Sequence, residues 1–118
     1  MIKDDNMREI ILKIVTRIKE TYSPEKIILF GSYAYGLPEK ESDIDLLIIK
    51  DTQDRVIDRM VQIYKIVDLR KIDLSPFVVT PEELRQRIEL GDHFFKEIWV
   101  FVIYREKRLC ISLSERVL

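Results

Sequence analysis

The sequence predicts a single domain of the α/β (α+β) class, with helices packed on a small mixed sheet. Two segments, residues 6–21 and 54–65, carry apolar side chains at helical spacing. Apolar runs too short for helices lie between and after them, so the two kinds of segment alternate along the chain. The length of 118 residues, 47% of them hydrophobic, suits one core. We therefore expect one domain over residues 1–118, with its core in about 5–104 and the tail 105–118 unassigned.

Three helices follow from apolar periodicity and capping signals. The first, over residues 6–21, ends at Ser23-Pro24, and its stripe consists of Met7, Ile10, Ile11, Ile14, Val15 and Ile18. The second, over residues 54–65, is expected to bury the face formed by Val56, Ile57, Met60, Val61 and Tyr64. The third begins at Thr80-Pro81-Glu82-Glu83, where a Thr cap, Pro at the first position and Glu three residues after the cap form a capping box.

The predicted strands are short and apolar. They are expected at residues 27–30, 43–49 and 72–79, with a last one at 101–104. Pro76 lacks an N–H group, which either interrupts the third strand in its middle or places that strand at an edge of the sheet. A short helix is expected to begin at residues 33–35, directly after Gly31-Ser32, and to end at Gly36.

Composition excludes several classes of function. The chain has 20 basic and 21 acidic residues, a net charge of -1, which argues against nucleic acid as the main partner. With one cysteine and one histidine, it can form neither an internal disulfide nor a cysteine-rich or histidine-rich metal site. Any metal would be held by carboxylates, which favours a hard cation such as Mg²⁺. Since no apolar run reaches membrane-spanning length, we expect no membrane association and a cytoplasmic protein.

Two carboxylates lie on one face of the second predicted strand. Side chains alternate along a strand, so Asp43 and Asp45 point to the same side, about 7 Å apart. Their charges repel, and a divalent cation between them would remove that penalty. Taken alone, an Asp-X-Asp pattern is more often a solvated pair at the start of a strand.

The turn before this pair changes the interpretation. Gly31 lets a phosphate approach the backbone, and Ser32 adds a hydroxyl donor at a predicted helix N-terminus. Taken alone, Ser32 would equally well be an ordinary helix cap. A third carboxylate, Asp73, lies in the next predicted strand and could join Asp43 and Asp45 if that strand is adjacent. A phosphate cradle beside carboxylates is what a triphosphate with bound magnesium requires.

The run Gly31-Ser32, ten residues, then Asp43-Ile44-Asp45 resembles the signature of the DNA polymerase beta-type nucleotidyltransferase superfamily. The short chain and the Phe-Gly-Ser opening resemble its minimal, MNT-type members, which are often antitoxins paired with HEPN-type toxins. The resemblance implies that Asp43 and Asp45 bind two Mg²⁺ ions, with Mn²⁺ as an alternative. It also implies that Gly31 and Ser32 hold the triphosphate of ATP and that Asp73 acts as a metal ligand or general base.

The resemblance further implies transfer of AMP to a protein hydroxyl, which would adenylylate a HEPN-type toxin in a hetero-oligomer. Many relatives carry Arg where this chain has Tyr33 and Tyr35, so positive charge near the phosphates is reduced. The alternative is therefore a binding module without catalysis, which neutralises its partner by complex formation.

Overall fold

The computed structural model describes residues 5–31, 43–67, 73–91, 99–105 and 108–116. Within these residues the helices and strands follow one another as α1 Asp5–Tyr22, β1 Lys26–Phe30, β2 Ile44–Ile49, α2 Val56–Ile66, β3 Leu74–Val79, α3 Pro81–Glu89, β4 Trp99–Arg105 and β5 Arg108–Arg116. None of the described helices has the length and apolar composition that a membrane crossing requires. The short helix predicted at 33–35 lies outside the described residues.

The strands form one mixed sheet in the order β3-β2-β1-β4-β5. β2 and β3 run parallel, while the other neighbouring pairs are antiparallel. This arrangement confirms the predicted α+β class with a small mixed sheet. The predicted strand at 101–104 is observed as β4, but it is not the last one, because β5 extends the sheet through the tail.

The two faces of the sheet have separate apolar layers. α1 and α2 cover one face, and the largest buried side chains of that layer include Ile11, Ile18, Ile27, Leu29, Ile44, Leu46, Ile48 and Ile63. α3 covers part of the other face, where Leu84 and Ile88 pack with Ile28, Phe30, Leu47, Ile49 and Val79. We call this second face the α3 face. Between these two layers the side chains of β1 and β2 are buried, apart from Lys26 and Asp45 near the strand ends, which are half-buried.

The position of Pro76 agrees with its expected place at an edge. β3 pairs with β2 on one side and is the outer strand of the sheet. Ile44 donates a backbone hydrogen bond to Asp73, which sets the register in which Pro76 directs its missing N–H group away from β2. The carbonyl of Val78 accepts a hydrogen bond from Nη1 of Arg59 at 3.2 Å. Another strand could therefore not bond to an N–H group at Pro76, which has none, or to the carbonyl of Val78, which Arg59 occupies.

The predicted buried face of the second helix is wrong. Four of its five residues are exposed, with exposed fractions of 38–58%: Val56, Ile57, Val61 and Tyr64. α2 instead buries Arg59 and Ile63. The reason is that Ile63 joins the core under α1, while the guanidinium of Arg59 finds acceptors in Asp54, Val78 and Glu83. We call the four exposed residues the α2 stripe.

The start of α3 has the predicted capping box. The hydroxyl of Thr80 accepts a hydrogen bond from the backbone N–H of Glu83, and the carboxylate of Glu83 accepts one from the backbone N–H of Thr80. The same carboxylate pairs with Arg59 at 2.7 Å. α3 is therefore fixed to α2 through its first turn.

Candidate active site

Gly31 brings the backbone after β1 against a carboxylate of β2. Phe30 lies opposite Asp45 in the antiparallel pair, and Gly31 follows with a φ of +74°, in the left-handed region that favours glycine. A Cβ atom at this position would overlap Oδ2 of Asp45 and lie 3.2 Å from its carboxyl carbon. The predicted role of Gly31 was close approach by a phosphate. In the structure the close neighbour on that side is the carboxylate of Asp45.

Asp43 and Asp45 lie at the same end of β2, on the α3 face. Asp45 is the residue opposite Phe30 and Ser75, and Asp43 precedes the strand. The hydroxyl of Ser75 donates a hydrogen bond to Oδ2 of Asp43 at 3.2 Å. Asp43 is exposed, whereas Asp45 is half-buried between the strands. The pair therefore opens to solvent at the end of the sheet that α3 leaves uncovered.

The electrostatics of the pair suit a cation. Burial raises the pKa of Asp45 above its ordinary value, and the charge of Asp43 raises it further. Both effects make ionisation of Asp45 less favourable than for an ordinary aspartate, and a bound cation would offset them. Oxygen ligands of this kind match the preference of Mg²⁺, which commonly uses one or two protein carboxylates together with phosphate oxygens. Asp43 and Asp45 thus fit the predicted metal.

Asp73 is close to the pair in the sheet but does not form a three-carboxylate metal site with Asp43 and Asp45. The predicted condition, that its strand is adjacent to β2, is met, since its carbonyl accepts the backbone N–H of Ile44 at 2.9 Å. Its side chain is exposed. Among the described residues, no three Asp, Glu, His or Cys side chains are grouped closely enough to hold a metal ion. The roles predicted for Asp73 remain predictions, and Ser32 lies outside the described residues.

Sequence reasoning missed two neighbours of the pair on β3. Ser75 touches Asp43, and Phe77 lies two residues further along the same face, with its ring against that of Phe30. The alternation of side chains along a strand could have indicated both residues, because residues 73, 75 and 77 lie on one side of it. For Arg59 the sequence holds no such signal, since its acceptors come from three different elements.

The chain is similar to known proteins both in sequence and in fold. The family described as "Nucleotidyltransferase domain" matches residues 11–107, which include Gly31, Asp43, Asp45 and Asp73. A crystal structure of a putative nucleotidyltransferase from Sulfolobus solfataricus has a TM-score of 0.65, covering 92% of this chain and 88% of that chain. Its sequence identity is 20%, so it shows the fold alone.

Two proteins of Methanocaldococcus jannaschii, each named as a putative protein adenylyltransferase, are similar in sequence. One is 48% identical over 56 residues, which is 45% of this chain and 56% of the relative. The other is 37% identical over 89 residues, 69% of this chain and 60% of the relative. The chain thus spans less than two thirds of the length of either relative. The family match covers most of the chain, and the resemblance predicted from Gly31-Ser32 and Asp43-Ile44-Asp45 is confirmed at this level: the chain belongs to the nucleotidyltransferase domain family.

Proposed function

We propose that the protein transfers AMP from ATP to a hydroxyl group of a protein, with Mg²⁺ bound at Asp43 and Asp45. The observation that carries this proposal is the carboxylate pair of Asp43 and Asp45, of which Asp45 packs against Gly31, at the end of the sheet that α3 leaves open. The names of the two archaeal relatives support the choice of a protein as acceptor.

In the proposed reaction, the acceptor oxygen forms a bond to the α-phosphorus while the bond from that phosphorus to the oxygen bridging to the β-phosphate breaks. The acceptor loses its hydroxyl proton, and pyrophosphate leaves with the electrons of the broken bond. Bound Mg²⁺ would neutralise charge on the triphosphate and make the attacking hydroxyl easier to deprotonate. Asp43 and Asp45 orient the nucleotide, and Gly31 and Ser32 hold its phosphates. Manganese would serve as an alternative ion.

Asp73 is assigned the role of general base in this proposal. Its exposed carboxylate is not grouped with Asp43 and Asp45 as a three-ligand site among the described residues. A carboxylate outside the metal ligands is free to accept the proton of the acceptor hydroxyl. It lies at the start of β3, on the side of β2 opposite Gly31.

The proposed partner is a HEPN-type toxin that forms a hetero-oligomer with this chain in the cytoplasm. The α2 stripe supports a protein partner, because four exposed apolar side chains on one helix are typical of an interaction surface. The same surface favours a second candidate function, in which the chain neutralises its partner by binding without transferring a nucleotide.

The test uses ATP labelled at the α or the γ phosphate, with Mg²⁺ and the product of the neighbouring gene. Nucleotidyl transfer is supported if the partner retains label from ATP labelled at the α phosphate and none from ATP labelled at the γ phosphate. Label from γ-labelled ATP would mean phosphoryl transfer and would contradict the proposal. The double variant Asp43→Asn with Asp45→Asn is expected to abolish labelling.

The two candidate functions separate in the same double variant. If transfer is the biological role, the variant binds its partner and no longer neutralises it. Full neutralisation by the variant would favour the binding module. A variant of the α2 stripe, Ile57→Asp, is the matched control, because it should weaken partner binding and leave the nucleotide site intact.

A further inference from the structure

An exposed aromatic ring lies on the α3 face beside the carboxylates. Phe77 is 52% exposed, whereas its neighbours Pro76 and Val78 on the other side of β3 are buried. Its ring packs against Phe30 with 6.0 Å between centroids and 45° between planes, and Phe30 is 7% exposed. The ring is thus supported on one side and accessible on the other.

Phe77 and Gly31 flank the carboxylate pair from opposite sides. In the β2–β3 pairing, Asp45 is opposite Ser75 and the next residue on the same face, Leu47, is opposite Phe77. Phe77 therefore lies one step along the sheet from Asp45, on the outer strand. Gly31 contacts Asp45 from β1, across the sheet.

Transfer at phosphorus requires the attacking and leaving oxygens to lie roughly in line on opposite sides of the phosphorus. If Gly31 marks the side that holds the triphosphate, the acceptor arrives from the side of β3. Asp73 directly precedes that strand, and Phe77 lies near its middle. In this arrangement of the proposed reaction, Phe77 would face the acceptor and not the leaving group.

The outer edge of β3 is poorly suited to bind an acceptor as an added strand. Pro76 has no N–H group, and the carbonyl of Val78 is already bonded to Arg59. A polypeptide that approaches this edge must instead be recognised through side chains. Phe77 is the large apolar side chain of β3 that is exposed there.

We propose that Phe77 forms an acceptor subsite, which binds an aliphatic or aromatic side chain next to the accepting hydroxyl of a polypeptide. The inference rests on the proposed function, because it names the acceptor class of the same site. A ring that is supported by Phe30 and half exposed is stabilised by contact with another apolar group, because that contact removes its exposed half from water.

The test measures kcat/KM for AMP transfer to synthetic peptides that carry one serine, threonine or tyrosine. Flanking residues are leucine in one set and glutamine in the other. We expect the wild type to prefer the leucine set by about tenfold, from burial of the exposed half of the ring. Phe77→Ala should lose this preference, with the KM for ATP unchanged, and Phe77→Leu should keep most of it.

Leu90→Ala is the matched control, since Leu90 is 86% exposed beyond the end of α3 and should leave the preference unchanged. Thermal unfolding of each variant shows that it is folded. Labelling without a preference for leucine, or a preference that survives Phe77→Ala, would overturn the subsite and leave the proposed transfer standing. Absence of label on every peptide and on the partner protein would contradict both.

Discussion

The hydroxyl of Ser75 on β3 donates a hydrogen bond to Oδ2 of Asp43, 3.2 Å away and just before β2. The outer strand thereby orients a carboxylate that belongs to its neighbour. Groups that orient a metal ligand commonly affect metal affinity and activity as well as geometry.

Removal of this hydroxyl should therefore weaken the proposed Mg²⁺ site at Asp43 and Asp45. We expect Ser75→Ala to raise the Mg²⁺ concentration needed for half-maximal transfer and to lower kcat/KM by about tenfold. Because the bond is exposed, the free energy of unfolding should hardly change. Ser75→Thr keeps the hydroxyl and should retain most of the activity. An unchanged Mg²⁺ requirement in Ser75→Ala would show that Asp43 does not depend on this bond.

Two glycines allow a controlled test of the contact with Asp45. Both have positive φ, +74° at Gly31 and +83° at Gly91, but a Cβ at Gly91 meets no atom within 4 Å. Gly91→Ala should cost about 1 kcal/mol of stability through backbone strain alone and keep full activity. Gly31→Ala has the same strain and also displaces the carboxylate of Asp45. Urea unfolding and label transfer should show a larger loss of stability and a loss of activity in this variant only.

The raised pKa of Asp45 predicts that its ionised carboxylate lowers the free energy of unfolding of the metal-free protein. A carboxyl whose pKa is higher in the folded state contributes stability below its ordinary pKa, and this contribution is lost as pH rises through the raised value. At neutral pH without divalent cations, Asp45→Asn should therefore be more stable than the wild type. The difference should vanish in acid, where the wild-type carboxyl is protonated.

Mg²⁺ should reverse this order. It is expected to stabilise the wild type against urea and to have little effect on Asp45→Asn, because the variant lacks one of the two proposed ligands. A variant that is less stable than the wild type at neutral pH in the presence of a chelator would contradict the pKa argument.

Arg59 is expected to be the most important charged residue for stability among those described. Its side chain is 7% exposed and joins the carbonyls of Asp54 and Val78 to the carboxylate of Glu83. Arg59→Met should lower the free energy of unfolding by about 2 kcal/mol, because the buried carbonyl of Val78 loses its donor, whereas Glu83 is 38% exposed and can be hydrated. Arg55→Met is the control, since Arg55 is 80% exposed in its pair with Asp58 and should change stability by less than about 1 kcal/mol.

The contribution of Glu83 to the free energy of unfolding should depend on pH and be lost in acid. The hydrogen bond from Arg59 is the main reason that the pKa of Glu83 lies below its ordinary value. A carboxylate with a lowered pKa contributes stability above its ordinary pKa, and this is lost as pH falls through the lowered value. Glu83→Gln should thus be less stable than the wild type at neutral pH, and the gap should close in acid. A difference in stability that does not depend on pH would show that the effect comes from the hydrogen bond to Thr80 and not from the charge paired with Arg59.

Much of the fold follows from local sequence. The capping box at Thr80 and Glu83, the edge position of Pro76 and the shared face of Asp43 and Asp45 were all predicted, because each depends on residues only a few positions apart. The alternation of helices and strands likewise predicted the α+β class.

Other features depend on contacts between distant elements. Apolar residues extend around more than half of α2, so periodicity could not decide whether the α2 stripe or the side with Ile63 is buried. The structure decides it through Arg59, whose acceptors Val78 and Glu83 lie 19 and 24 residues away along the chain. β5, which follows β4 through the tail, was not predicted either.

The site divides in the same way. By itself the sequence determined the pair Asp43 and Asp45 and the glycine that precedes it, since strand alternation and turn chemistry are local properties. Only the tertiary structure placed Ser75 against Asp43 and Phe77 beside the pair, because the parallel pairing of β2 with β3 sets which residues become neighbours. That register is fixed by contacts across the sheet, and no local pattern in either strand contains it.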